Sequence, residues 1–191
     1  MDDTFLEEIR DAIRTVPNFP IDGIMFRDIS PVLSRPGLLA KVTAQFVKDL
    51  DGLGWKPDVI VGPEARGFIF GPLLAERLGI GFVPVRKPGK LPAETFRIDY
   101  TLEYGSNSLE IHKDAISKGQ KVVIIDDLLA TGGTISACAD LCREAGGDVL
   151  GALFVIELNG LNARSTIAPL QAHALLEFPA CPPVGGNSCF V

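Results

Sequence analysis

The apolar run Val122, Val123, Ile124 and Ile125 stops at two adjacent acids, Asp126 and Asp127, and then passes through Leu128, Leu129, Ala130, Thr131, Gly132, Gly133 and Thr134. Four consecutive β-branched residues suit a buried strand, which puts the acids where such a strand reaches its carboxyl edge. Open α/β sheets bind ligands at that edge. Residues 131–134 offer bare backbone N–H groups and two hydroxyls where helical periodicity begins over residues 135–144, and that combination builds an anion cradle. Phosphate is the natural guest. Asp126 and Asp127 would repel a phosphate they faced, so they are expected to accept hydrogen bonds from hydroxyls beside it, as on a ribose, or to stand near a divalent cation. The segment therefore reads as a ribose 5-phosphate site. A core strand followed by a glycine turn would explain residues 122–125 and leave the acid pair and double threonine without a purpose.

Other phosphate motifs are excluded. There is no G-x-x-x-x-G-K-[ST] loop, and Gly79-Ile80-Gly81 precedes a strand-like run rather than opening a helix, so neither an ATPase nor a dinucleotide reading survives. A net charge of −6 and a pI near 4.9 argue against a nucleic-acid surface. The acidic opening Met1-Asp2-Asp3 does not suit a signal peptide, and no run approaches the ~18 apolar residues of a membrane span, which points to a cytoplasmic protein with no membrane partner. Cys138 and Cys142 lie four apart on one helical face. Small packing residues in a reducing compartment explain them better than zinc ligands do, because neither cysteine pair has C-x₂-C spacing. Cys189, near the terminus, reads as an exposed free thiol.

Strand-like runs at residues 58–62, 82–86, 121–126 and 149–157 are separated by helix-like residues 68–78 and 135–144. Alternation of this kind predicts a mostly parallel sheet. An amphipathic helix is expected to open the chain through Phe5, Leu6, Ile9, Ala12 and Ile13, with Arg10 and Arg14 toward its end, followed by a loop over residues 18–34 and a second helix over residues 36–50. Between residues 86 and 116 the pattern changes to loop chemistry around short alternating runs, which suits an antiparallel excursion from the ligand edge.

Further chemistry clusters at the same edge. Gly62-Pro63-Glu64-Ala65-Arg66-Gly67 is a second strand-to-helix turn, and the donor fork of Arg66 suits pyrophosphate. Arg86, Lys87 and Lys90 put three cations near the base of the excursion, which suits a pyrophosphate and, taken alone, equally suits a solvated charge run. Phe26 offers a stacking face, the backbone of Met25 and Arg27 offers edge hydrogen bonds, and Leu158 could cover the opposite face of a purine, while core packing explains Phe26 and Leu158 equally well.

Residues 122–134 resemble the phosphoribosyl pyrophosphate signature of the type I phosphoribosyltransferases, with wording similar to the adenine-specific members. So are Phe19-Pro20-x-x-Gly23-Ile24-x-Phe26-Arg27-Asp28-Ile29-x-Pro31, Arg86-Lys87-x-Gly89-Lys90-Leu91-Pro92 and Leu102-Glu103-Tyr104-Gly105. The resemblance covers most of residues 16–158 and departs in the tail. It implies one α/β domain over residues 1–191, with a mostly parallel twisted sheet flanked by helices. An N-terminal hood spans residues 1–34, a flexible active-site loop residues 87–116, and an irregular tail residues 179–191.

The implied reaction is purine salvage: adenine and 5-phosphoribosyl 1-pyrophosphate give AMP and pyrophosphate, in a homodimer, with Mg2+ carried by the substrate and no metal held directly. The resemblance assigns phosphoribosyl pyrophosphate to Glu64, Ala65, Arg66, Arg86, Lys87, Lys90, Tyr104, Asp126, Asp127 and the turn Leu129, Ala130, Thr131, Gly132, Gly133 and Thr134. It gives adenine to Met25, Phe26, Arg27 and Leu158, and catalysis to Arg66 and Glu103. It also implies a cis peptide before Ala65 and a reach by Lys90 across a dimer interface. Two alternatives stay open: a sister enzyme using another purine, and a purine-sensing transcription regulator on the same fold. The regulator needs a DNA-binding module, yet only about sixteen residues precede the hood loop.

Overall fold

Among the described residues, six helices and nine strands are arranged around one five-stranded sheet flanked by two antiparallel ribbons. The computed structural model describes residues 3–102 and 105–180. The N-terminal part holds α1 (Asp3–Ala12), β1 (Arg14–Pro17), β2 (Met25–Asp28), α2 (Ser30–Ser34) and α3 (Leu38–Leu53). Next come β3 (Val59–Pro63), α4 (Gly67–Leu78), β4 (Gly81–Val85), β5 (Thr95–Leu102) and β6 (Gly105–His112). The chain continues through β7 (Lys121–Leu129), α5 (Gly133–Glu144), β8 (Asp148–Asn159), α6 (Ala163–Ile167) and β9 (Ala172–Pro179).

The central sheet runs β4-β3-β7-β8-β9, and every pair in it is parallel. Its inner strands read as apolar runs because both faces are covered. Val123 and Ile125 point into a core with α3 and α4, whereas Val122 and Ile124 point into a second core with α5 and α6. Pro84 is tolerated because β4 is an edge strand. Packing is close enough to demand glycine in β8: a Cβ at Gly151 would sit 2.1 Å from Trp55 Cη2. No described helix is long and apolar enough to cross a membrane.

Parallel strands all enter from the same end, so the turns after β3 and β7 meet at one carboxyl edge. Two antiparallel ribbons flank that edge. β1 and β2 form one, and β5 and β6 form the other, tied to the sheet by a bridge between Arg86 and Glu110. The second ribbon is the antiparallel excursion that the alternation of residues 108–112 predicts.

Three expectations need correction. Residues 18–34 are not one loop: they contain β2 and α2, whose polar residues Arg27, Asp28 and Ser30 mask short elements stabilised by tertiary contacts. Arg14 lies in β1, not on the opening helix, and it pairs with Asp28 across the ribbon. The fifth strand, β9, has no counterpart among the strand-like runs, and it extends through Pro179, the first residue assigned to the tail. Cys181 and Cys189 lie outside the described residues. Cys138 and Cys142 are buried packing residues, as expected, and burial pushes the Cys142 thiol up to about 12.

Candidate active site

The turn after β7 is shaped for an anion. Gly132 stands at φ +90° and hands the chain into α5, while its α-carbon faces α6: a Cβ there would lie 2.9 Å from Ile167 Cγ2 and 3.0 Å from the Ala163 carbonyl oxygen. Only glycine satisfies both constraints. The first-turn N–H groups of α5 are thereby left facing the edge without side-chain capping. Gly132→Ala is expected to cost about 1–3 kcal/mol of stability through overpacking and to weaken ribose 5-phosphate binding with it. Thermal melts and titrations matching the wild type would show that the turn tolerates a side chain.

At the end of β7 the two acids have different surroundings. Asp126 Oδ1 accepts the Asp127 N–H at 2.9 Å, and burial, reinforced by the neighbouring Asp127, pushes the Asp126 carboxyl well above its usual range. Asp127 is only 4% exposed, and Arg66 Nε donates to its Oδ2 at 2.5 Å. Its Oδ1 is buried with no hydrogen-bond partner among the described residues. A buried acceptor of this kind is costly unless a ligand donor meets it.

The turn after β3 supplies the other half. The Glu64–Ala65 peptide is cis, in agreement with the resemblance, and the Glu64 N–H donates to Val85 O at 2.9 Å. The Glu64 carboxylate accepts Arg86 Nε at 2.8 Å and lies 3.1 Å from Lys90 Nζ. Burial works to raise the Glu64 carboxyl, but hydrogen bonds from Arg86, Lys90 and the Lys87 backbone outweigh it and leave the group below its ordinary value. Lys90 is thus engaged by an acid of its own chain. Glu110, buried on β6, accepts the Gly89 N–H at 3.1 Å and holds the basic loop from beneath.

A cavity of about 780 Å³ opens beside these turns, beneath the β1–β2 ribbon. Met25, Phe26, Arg27 and Leu158 line it together with Arg66 and Asp127. The consecutive residues Met25 to Arg27 and the sequence-distant Leu158 are therefore gathered at one cavity. β2 contributes along its whole length, and its only strand partner among the described residues is β1. Phe26 packs edge-on against Phe19 with ring centroids 5.1 Å apart. The Arg27 guanidinium points away from a base-reading role: it lies 4.7 Å from the Phe178 ring centroid and donates to Pro179 O at 3.1 Å, locking the ribbon to β9. Asp28 turns the chain into α2, and hydrogen bonds from Ser30 and Arg14 hold its carboxyl at about 2.

Not every expected residue reaches the site. The Leu129 side chain is fully buried in the core of α5 and α6, so only its backbone can meet a ligand. Glu103 and Tyr104 fall between Leu102 and Gly105 and lie outside the described residues. Conversely, Ile24, Leu33, Ile69 and Leu128 line the cavity without having been assigned to the base. Their apolar character in sequence is indistinguishable from that of core residues.

A parallel sheet whose two neighbouring strand-to-helix turns meet beside a largely apolar cavity places a ligand site at the carboxyl edge, as doubly wound sheets do. Residues 32–173 match the phosphoribosyl transferase domain, and the chain belongs to that family. It is 52% identical over 173 residues to the adenine phosphoribosyltransferase of Francisella philomiragia, covering 91% of this chain and 99% of the relative. The crystal structure of adenine phosphoribosyltransferase from Thermoanaerobacter pseudethanolicus superposes with a TM-score of 0.87 at 53% identity, covering 91% of this chain and 99% of that one. The Saccharomyces cerevisiae enzyme, complexed with D-2,5-dideoxy-2,5-imino-altritol 1,6-bisphosphate and adenine, gives 0.87 at 44% identity with the same coverages. The expected type I fold and family are borne out.

Proposed function

We propose that this chain is a pentosyltransferase of purine salvage that joins adenine to 5-phosphoribosyl 1-pyrophosphate, giving AMP and pyrophosphate. The observation that carries this reading is the contact between Arg66 and Asp127, which joins the turn after β3 to the turn after β7 at the wall of the cavity. In this reading residues 131–134 hold the 5-phosphate, and the unpartnered Asp127 Oδ1 accepts a ribose hydroxyl. Arg66, Arg86, Lys87 and Lys90 draw off the pyrophosphate charge as the bond from the sugar's anomeric carbon to the pyrophosphate oxygen breaks. Adenine N9 forms the new bond to that carbon and gives up its proton. Glu103 is the proposed acceptor of the proton, on the strength of its motif, and Tyr104 a further pyrophosphate contact.

Glu64 gives the basic cluster its geometry before substrate arrives, because it draws Arg86 and Lys90 together at one carboxylate. Preformed cations lose less freedom when pyrophosphate binds. Magnesium is proposed to enter on the pyrophosphate, whose oxygens supply its ligands. When bound, it would neutralise charge on the leaving group. The β5–β6 ribbon is proposed to exclude water during transfer, since an activated sugar would otherwise hydrolyse. A cytoplasmic homodimer is the assembly and location in which we place the reaction.

Asp127→Asn tests the assignment. It preserves shape but weakens a charge-assisted acceptor, and affinity for ribose 5-phosphate is expected to fall by ~1–3 kcal/mol. Calorimetry showing unchanged affinity would remove Asp127 from the ribose.

A further inference from the structure

β5 alternates. Phe96, Ile98 and Tyr100 pack against the core that includes α5, while Arg97 and Asp99 are exposed and bind Ser108 across the ribbon. The ribbon therefore rests on the same helix whose first turn forms the phosphate cradle. At the end of this stripe the Tyr100 hydroxyl lies 3.3 Å from the Thr134 hydroxyl, with either oxygen able to donate. This hydrogen bond connects the ribbon to the cradle side chain to side chain.

A threonine hydroxyl has one proton and two lone pairs. When Thr134 turns its proton toward a phosphate oxygen, it can only accept from Tyr100, and the relay Tyr100 O–H to Thr134 O–H to phosphate runs in one direction. Each donor in such a chain polarises the next, so the bond to the anion and the bond to the ribbon strengthen together. Without the anion, Thr134 can donate to Tyr100 or elsewhere, and the direction is lost.

We propose that Tyr100 is a positioning residue for the 5-phosphate, orienting the Thr134 hydroxyl and thereby making the seating of the β5–β6 ribbon on α5 depend on whether that phosphate is present. The inference rests on the assignment of residues 131–134 to the 5-phosphate. Its consequence is discrimination: ribose 5-phosphate seats the ribbon, whereas pyrophosphate alone, held by the basic cluster, does not.

The test is calorimetry on the full chain with ribose 5-phosphate and, separately, pyrophosphate, comparing wild type, Tyr100→Phe, Thr134→Val and the double variant. Tyr100→Phe keeps the packed ring and removes only the hydroxyl. It is expected to weaken ribose 5-phosphate about 2- to 10-fold, the range of one net hydrogen bond, and to leave pyrophosphate unchanged. In the Thr134→Val background the same change should have no further effect. Hydrogen exchange should show the β5 amides gaining protection with ribose 5-phosphate in the wild type and not in Tyr100→Phe. Unchanged ribose 5-phosphate affinity in Tyr100→Phe, or equal losses for both ligands, overturns the proposal. If Thr134→Val weakens ribose 5-phosphate while Tyr100→Phe does not, only this inference falls; if neither does, the phosphate assignment falls with it.

Discussion

Adenine is expected to exceed hypoxanthine and guanine in kcat/KM by up to ~10⁴–10⁵-fold, the discrimination available to a site that hydrogen-bonds a specific edge. The reason lies in β2. Among the described residues its only strand partner is β1, and it lines the cavity from Met25 to Asp28. On the open edge of an antiparallel strand, one residue presents its N–H and C=O side by side. That donor and acceptor complement adenine, which offers an acceptor at N1 beside an amino donor at position 6. The 6-oxopurines present the reverse, a donor at N1 beside a carbonyl, so two donors and two acceptors would face each other in a buried place. Backbone recognition also explains why the Arg27 side chain can be spent on Phe178 and Pro179. Phe26→Ala should weaken all purines together, because stacking does not sense the exocyclic group. Comparable kcat/KM for hypoxanthine or guanine would show that this edge does not read the base.

Arg66→Ala is expected to lower kcat by ~10²–10³-fold, as removal of one preorganised donor to a developing oxyanion does. Arg66 does two things at once. It stands in the turn where pyrophosphate is proposed to leave, and it engages the nearly buried Asp127, whose other oxygen has no partner among the described residues and is proposed to meet ribose. Alanine would remove a donor from one subsite and the partner of a buried carboxylate from the other. Arg66→Lys should recover only part of the loss, since an ammonium keeps the charge without the planar fork. Single-turnover kinetics with a thermal melt separate chemistry from stability. Near-wild-type kcat in a folded Arg66→Ala would remove Arg66 from the leaving-group site.

What could be read from sequence follows a physical line. Residues 122–134 are legible because a buried parallel strand leaves an unbroken apolar run, and the candidate site residues follow it without interruption. The same holds for the turn at residues 62–67. β9 was not legible: Ala172, His173 and Ala174 open it with weak strand formers, and its identity depends on pairing with β8. The ribbon of β1 and β2 escaped for the same reason, being four-residue strands held by partners distant in sequence. Long-range pairings of charge were also hidden. Nothing local to Glu64 reveals that it gathers Arg86 and Lys90, nor that Arg66 reaches Asp127, 61 positions away. Leu129 shows the converse, since its place in the signature does not reveal that its side chain is buried in the core, which leaves only its backbone to a ligand.

The central claim is that the cavity under the β1–β2 ribbon and the cradle after β7 work as one transfer site. Incubating the purified chain with magnesium, labelled adenine and 5-phosphoribosyl 1-pyrophosphate, and quantifying nucleotide and pyrophosphate together, tests it most directly. AMP and pyrophosphate should appear in equal amounts, only when both substrates are present, and Asp127→Asn should slow both products alike. Pyrophosphate released without AMP, or no nucleotide from adenine under any substrate concentration, would contradict it.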